Sequence, residues 1–240
     1  MVKNTIHSLS ILAVALFSFA AASVPSSAQT VTSQIQRMTG WQNCVTCAGI
    51  NASGPSASIY SASGVASPSM SGNSRVFSIS SSNSWADALW WKQLGADNTK
   101  THFIYDVYFY LTAPQHAQAL EFDSNQGDGH RHWIYGTQCS IGHGHWDVWG
   151  NAAGNWMSTG IPCIMPSAFK WHHLTWEFKR TSTTLTFVSM TYDGVKHYVN
   201  KTYTARTSSV KEIDVAFQMD MKADHVAYKT WLDNVKLTYW

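Results

Sequence analysis

The chain alternates. Over residues 100–111 every second side chain is large and apolar (Phe103, Tyr105, Val107, Phe109 and Leu111), and the same period returns in Leu174, Trp176 and Phe178 and again in Ile213, Val215, Phe217 and Met219. Successive side chains of a strand point to opposite faces, so a period of two buries one face and leaves the other polar. Residues 183–192 and 195–203 flank Asp193-Gly194, a pair that tolerates the positive φ angles a two-residue hairpin requires. Further strands are expected at 75–80, 118–125, 131–138, 145–149 and 230–240, with turn residues between them. No stretch after the N-terminal apolar run sustains a helical period. Regular strands without helices predict an all-β fold, an antiparallel β-sandwich or jelly roll. The roughly 210 residues beyond the N-terminal segment suit one such domain.

That segment reads as a secretory signal peptide: Lys3, an apolar run at 11–22, and small residues Ser26-Ser27-Ala28 at the expected cleavage point. The chain then divides into 1–28, signal peptide; 29–74, a Ser/Gly-rich segment with a Cys44/Cys47 loop packed on the same domain; and 75–240, the sandwich. No later run approaches the roughly 18 uninterrupted apolar residues of a membrane-spanning helix. Losing Lys3 takes the formal charge from +2 to +1, which offers little to nucleic acid or an anionic membrane. Only 12% of residues are charged, and Ser and Thr dominate the polar positions, as suits a secreted protein meeting neutral polar partners. Export makes disulfides the default for Cys44, Cys47, Cys139 and Cys163, which allow three pairings. Cys44–Cys47 as a local loop and Cys139–Cys163 as a staple across the His/Trp-rich segment are preferred. A zinc site at Cys44 and Cys47 lacks the second ligand pair it needs.

Residues 119–126, Ala-Leu-Glu-Phe-Asp-Ser-Asn-Gln, carry the clearest chemistry. On a strand Leu120 and Phe122 face one way, and Glu121, Asp123 and Asn125 the other. Carboxylates on one strand face can flank a glycosidic bond; the same alternation also describes an ordinary solvated face.

A resemblance follows from three motifs taken in order: Trp171-His172-His173-Leu174-Thr175-Trp176-Glu177-Phe178, then Tyr192-Asp193-Gly194-Val195-Lys196, then Trp231-Leu232-Asp233-Asn234-Val235-Lys236-Leu237. Together they resemble the concanavalin A-like lectin/glucanase superfamily, in particular its laminin-G-like members, over roughly residues 75–240. Within it, Glu121-Phe122-Asp123 is similar to the laminarinase-type glycoside hydrolases of family sixteen, whose pattern is Glu-x-Asp-x-Glu or, with a bulge, Glu-x-Asp-x-x-Glu. The resemblance implies Glu121 as nucleophile and Asp123 as its support. The acid/base position falls on Asn125 in a regular strand or Gln126 in a bulged one, and neither amide can donate a proton as a carboxylic acid does. That help is worth about 10²–10⁴-fold, so a hydrolase would need a substitute: Asp128, a histidine, or Glu177, which strand parity sets opposite the core residues of its strand. The departure favours binding over cleavage.

Residues 127–149 hold His130, His132, His143 and His145 among Trp133, Tyr135, Trp146, Asp147 and Trp149. Each His-x-His pair shares one strand face, a geometry open to a transition metal, provided the two pairs converge. Gln126, His130, Arg131, His132 and Tyr135 also supply the side-chain types with which a polysaccharide lyase neutralises a uronate and removes a proton. Trp149 and Trp156 are the leading candidates for aromatic platforms under a sugar ring, and Trp90, Trp91 and Trp133 are further ones, whereas Trp176 reads as core. His145 joins them as a ligand-binding candidate. Related domains also suggest a structural calcium, for which Asp233 could serve, but no Asp-rich loop accompanies it and a hydrogen-bonded strand-end aspartate is the preferred reading. Three functions follow: a secreted module binding a polysaccharide or oligosaccharide, a polysaccharide-cleaving enzyme, and a structural or adhesive extracellular protein. A groove open along the acidic strand, rather than filled by side chains, separates the first two from the third.

Overall fold

The computed structural model describes residue 1 and residues 28–45 and 56–240. The apolar run of the expected signal peptide and Cys47, with its pairing to Cys44, lie outside the described residues.

Seventeen strands are found among the described residues. They are β1 (Thr30–Thr32), β2 (Gln42–Cys44), β3 (Ser58–Val65), β4 (Ser74–Ser80), β5 (Asp87–Gly95), β6 (His102–Leu111), β7 (Ala117–Asp128), β8 (Arg131–Tyr135) and β9 (Thr137–Ser140). After these come β10 (His145–Gly150), β11 (Asn155–Pro162), β12 (Trp171–Arg180), β13 (Thr184–Tyr192), β14 (Val195–Thr204), β15 (Arg206–Thr207), β16 (Lys211–Met221) and β17 (Tyr228–Tyr239). One sheet of eight strands runs β14-β13-β12-β6-β17-β4-β3, with β1 added to β17. The other, of nine, runs β11-β10-β9-β7-β16-β5-β2, with β8 beside β7 and β15 beside β8. Residues 30–74 thus supply β1, β2 and β3 to the two sheets. Among the described residues no helix is long and apolar enough to cross a membrane.

The alternating residues meet between the sheets. Phe103, Tyr105, Val107, Phe109 and Leu111 of β6 and Leu174, Trp176 and Phe178 of β12 are fully buried. They face Leu120 and Phe122 of β7, Trp146 and Val148 of β10, and Val215, Phe217 and Met219 of β16. Ring pairs bridge the layers: Phe109–Phe122 at 4.9 Å, Tyr135–Phe178 at 4.8 Å and Trp146–Trp176 at 6.0 Å between centroids. Burying each such ring stabilises the fold by about 1.5–3 kcal/mol, so the interface fixes strand parity on both sheets. Cys139 and Cys163 form the expected disulfide, Cα atoms 5.6 Å apart, tying β9 to the residue after β11.

That fixed parity has a consequence on the far side of the nine-stranded sheet. Every polar residue between the core positions of β7, β16 and β5 turns outward together.

Candidate functional site

These outward residues line a groove of about 680 Å³. Its floor is β7 and β16, which pair so that Glu121 lies across from Gln218, Asp123 from Ala216, Asn125 from Asp214 and Gly127 from Glu212. Leu89, Trp91 and Gln93 of β5 extend one side; His132 and Ile134 of β8, Trp149 and Trp156 of β10 and β11, and Arg206 of β15 border it further. Trp149 and Trp156 meet edge to face with centroids 5.2 Å apart. Gly136 makes room for them: a Cβ there would stand 2.8 Å from the Trp149 Cβ.

The floor carboxyls hold one another. Gln218 Nε2 donates to Glu121 Oε1 at 2.7 Å and to Asp220 Oδ1 at 2.8 Å, and Glu121 and Asp220 also hydrogen bond to each other. Asn125 Nδ2 donates to Asp214 Oδ1 at 2.8 Å; Asp214 hydrogen bonds to Glu212. Gln93 Nε2 donates to Glu212 Oε2 at 3.1 Å, and His132 Nε2 lies 2.8 Å from Glu212 Oε1. Between the two pairs stands Asp123, whose Oδ1 accepts the Thr137 N–H at 2.8 Å.

Burial, reinforced by the Asp220 and Asp123 charges, pushes Glu121 well above the ordinary carboxyl range. Burial and the neighbouring Glu212 do the same to Asp214. Burial raises Asp123 to about 7 against the lowering pull of the Thr137 N–H. Desolvation likewise raises the half-buried Asp220 to about 7 and Asp87, across the ladder from it, to about 6. Desolvation penalises the charged form, so the groove floor keeps protons that free carboxylates lose.

Of the residues singled out in the sequence, Glu121, Asp123, Asn125, His132, Trp149 and Trp156 come together here, with Trp91. Others do not. β7 pairs regularly with β16 through residues 119–128, so the acid/base position falls on Asn125, and Gln126 points to the core side. There it donates to the carbonyls of Asp97 (2.6 Å) and Lys100 (3.0 Å) and accepts from Arg180 Nε. Trp133 and Tyr135 are fully buried, because the parity that turns His132 outward turns both inward; the Arg180 guanidinium covers Trp133 at 4.1 Å. Trp90 is likewise core.

Glu177 belongs to the eight-stranded sheet, on its outer face, hydrogen bonded to His102 Nε2 (3.0 Å) and Ser189 Oγ (2.9 Å) with Lys196 Nζ at 3.9 Å. It cannot reach the groove. His130, Arg131 and Asp128 form the β7–β8 turn, where Asp128 Oδ1 accepts both backbone N–H groups. His145 pairs with Asp147 at 2.7 Å, and its ring stacks on His143; neither lines the groove. The two His-x-His pairs therefore stay apart, and among the described residues no three His, Cys, Asp or Glu side chains are placed to hold one metal ion. Asp233 accepts from six groups: Ser69 Oγ, Met70 N, Ser71 N and Oγ, Gln36 Nε2 and Asn234 N. Its oxygens serve as the hub of the N-terminal segment.

The polar half of β16, Glu212, Asp214, Gln218 and Asp220, escaped the sequence reading, which used only its apolar half. The signal was present, since these residues alternate with Ile213, Val215, Phe217 and Met219.

No protein-family model matches the sequence, and no curated protein does. Among solved structures, an endo-β-1,4-glucuronan lyase from the fungus Trichoderma reesei superposes with a TM-score of 0.52 at 11% identity, covering 86% of this chain and 94% of that one. A family 11 carbohydrate-binding module from Clostridium thermocellum, in complex with a β-1,3-1,4-mixed-linked tetrasaccharide, gives 0.42 at 14% identity (87% and 94% covered). Lotus tetragonolobus seed lectin gives 0.45 at 8% (88% and 97% covered). At 11% identity the likeness to the glucuronan lyase is one of architecture alone, a β-sandwich jelly roll.

Proposed function

We propose that this is an exported carbohydrate-recognising protein that binds a neutral polysaccharide along the groove of the nine-stranded sheet. One observation carries the reading: an open groove in which Trp91, Trp149 and Trp156 border two adjacent rows of carboxyl and amide groups. Indole faces cover the apolar faces of pyranose rings, while carboxyls and amides meet the ring hydroxyls. A scaffold with no ligand gains nothing from burying carboxyls against one another, which costs stability.

Charge supports a neutral chain. Among the lining residues only His132 and Arg206 are basic, beside Glu121, Asp123, Glu212 and Asp214, so the groove lacks the row of cations that a chain carrying a carboxylate on every ring would need. The lyase cast also fails to assemble, since Tyr135 and Gln126 lie on the core side. The signal-peptide pattern and the Cys139–Cys163 disulfide support export.

Affinity electrophoresis against barley mixed-linkage β-glucan, xyloglucan, galactomannan and polyglucuronate tests the proposal. Retardation by a neutral glycan, lost in Trp149→Ala/Trp156→Ala, is expected. Retardation by polyglucuronate alone refutes the neutral assignment, and retardation by none refutes recognition.

A further inference from the structure

We propose that the groove also hydrolyses the glycan it holds, with Asp214 giving a proton to the departing glycosidic oxygen and Asp123 taking one from the attacking water. This rests on the groove being a glycan site and adds a reaction to it.

The argument begins with Asn125, which stands where a third carboxyl would complete the acidic strand. Its Nδ2 is bonded to Asp214 Oδ1 at 2.8 Å, directly across the ladder. A carboxyl is therefore present at that level of the groove, one strand over. Asp214 is only 3% exposed, lines the groove and hydrogen bonds to Glu212. Burial and the Glu212 carboxyl beside it favour the protonated form of Asp214. His132 and Gln93 hold the far side of Glu212, leaving Asp214 as the member of the pair turned to the middle of the floor.

The opposing group is Asp123. Glu121 is engaged by Gln218 and Asp220, whereas Asp123 faces Ala216 across the ladder and takes one backbone N–H. Asp123 and Asp214 are diagonal neighbours on one face of an antiparallel pair, a relation that sets two residues about 7–8 Å apart, with their Cβ atoms somewhat closer. Carboxyls about 6.5–9.5 Å apart admit a water beside the sugar and hydrolyse with inversion. In the step, the water oxygen bonds to the anomeric carbon as the bond to the departing oxygen breaks. The Asp214 proton passes to that oxygen and a water proton passes to Asp123, so one water is added across the linkage.

The test incubates the mature full-length protein with barley mixed-linkage β-glucan, xyloglucan and galactomannan in ¹⁸O-water. New reducing ends carrying one ¹⁸O, with inverted configuration in the first product by NMR, are expected. Asp214→Asn and Asp123→Asn should each lower kcat by about 100-fold or more while retardation in affinity gels persists and near-ultraviolet circular dichroism is unchanged. Glu177→Gln, on the other sheet, should turn over normally. No reducing ends from a glycan that the protein binds would overturn hydrolysis and leave recognition standing; binding to no glycan would overturn both. Full turnover by either floor variant, or retention of configuration, would overturn the assigned step.

Discussion

The two outer faces of the sandwich treat carboxylates in opposite ways. On the eight-stranded sheet each is matched: Glu177 by His102, Ser189 and Lys196, and Asp106 by His173, Thr175 and Lys236. In the groove of the nine-stranded sheet Glu121 meets Asp220 and Asp214 meets Glu212, with the amides of Gln218, Asn125 and Gln93 and the His132 ring as the other partners. Glu177 accordingly falls below the ordinary carboxyl range, held there by the Ser189 and His102 hydrogen bonds against its partial burial. Glu121, Asp123 and Asp214 rise above it. The same fold can therefore satisfy its acids, and the contrast supports placing the proposed site on the face that leaves them unmatched.

The largest expected effect is on pH. Asp123 and Asp220 at about 7 and Asp87 at about 6 lie above their unfolded values near 4, so the folded protein binds protons that the unfolded chain has released. Their contribution is complete below about pH 4 and is lost as pH rises through 7, a change of a few kcal/mol for each group at about 1.4 kcal/mol per unit. Thermal unfolding from pH 5 to 8 should show Tm falling, with a shallower slope in Asp123→Asn. A Tm that rises across this window would remove the contrast between the faces. Next comes the staple beside the groove. Replacing Cys139 and Cys163 by serine opens a loop of sequence separation 24 that includes β10 and β11, and should cost about 3 kcal/mol in denaturant unfolding.

Smaller effects separate the faces by ligand. Trp149→Ala should weaken binding to a retarding glycan about tenfold, near 1.4 kcal/mol by calorimetry. Trp171→Ala, whose indole packs on Tyr110 at 5.5 Å on the outer face of the other sheet, should leave it unchanged; equal losses would mean the groove is not the platform. Smallest is Glu177→Gln, expected to lower stability by less than about 1 kcal/mol, as partly exposed ion pairs do.

Much of the fold was legible because alternation is local. β6, β12 and the Asp193-Gly194 hairpin follow from side-chain period and turn chemistry alone. The site was half legible. Glu121, Asp123 and Asn125 share a strand, and their common face is written in the order of residues. Grouping His132 with Tyr135 by chemical type ignored the same rule, which sets Tyr135 inward, and the bulge that would have turned Gln126 outward is absent from β7 there. What no local rule supplies is which strand lies next door. Asp214 reaches Asn125 across 89 positions of sequence, and that pairing is settled by packing between whole sheets. Glu177 illustrates the converse: correct in parity, it sits on the other sheet.

Proton sharing on the groove floor reaches into how binding is observed. A sugar hydroxyl that inserts beside Glu121 and Asp220, or beside Asp214, changes the hold of those carboxyls on their protons. Near pH 7, complex formation then exchanges hydrogen ions with the medium, and the measured heat includes that of the buffer. Titrations in phosphate and in Tris should agree in Kd and differ in enthalpy, the gap counting the protons that move.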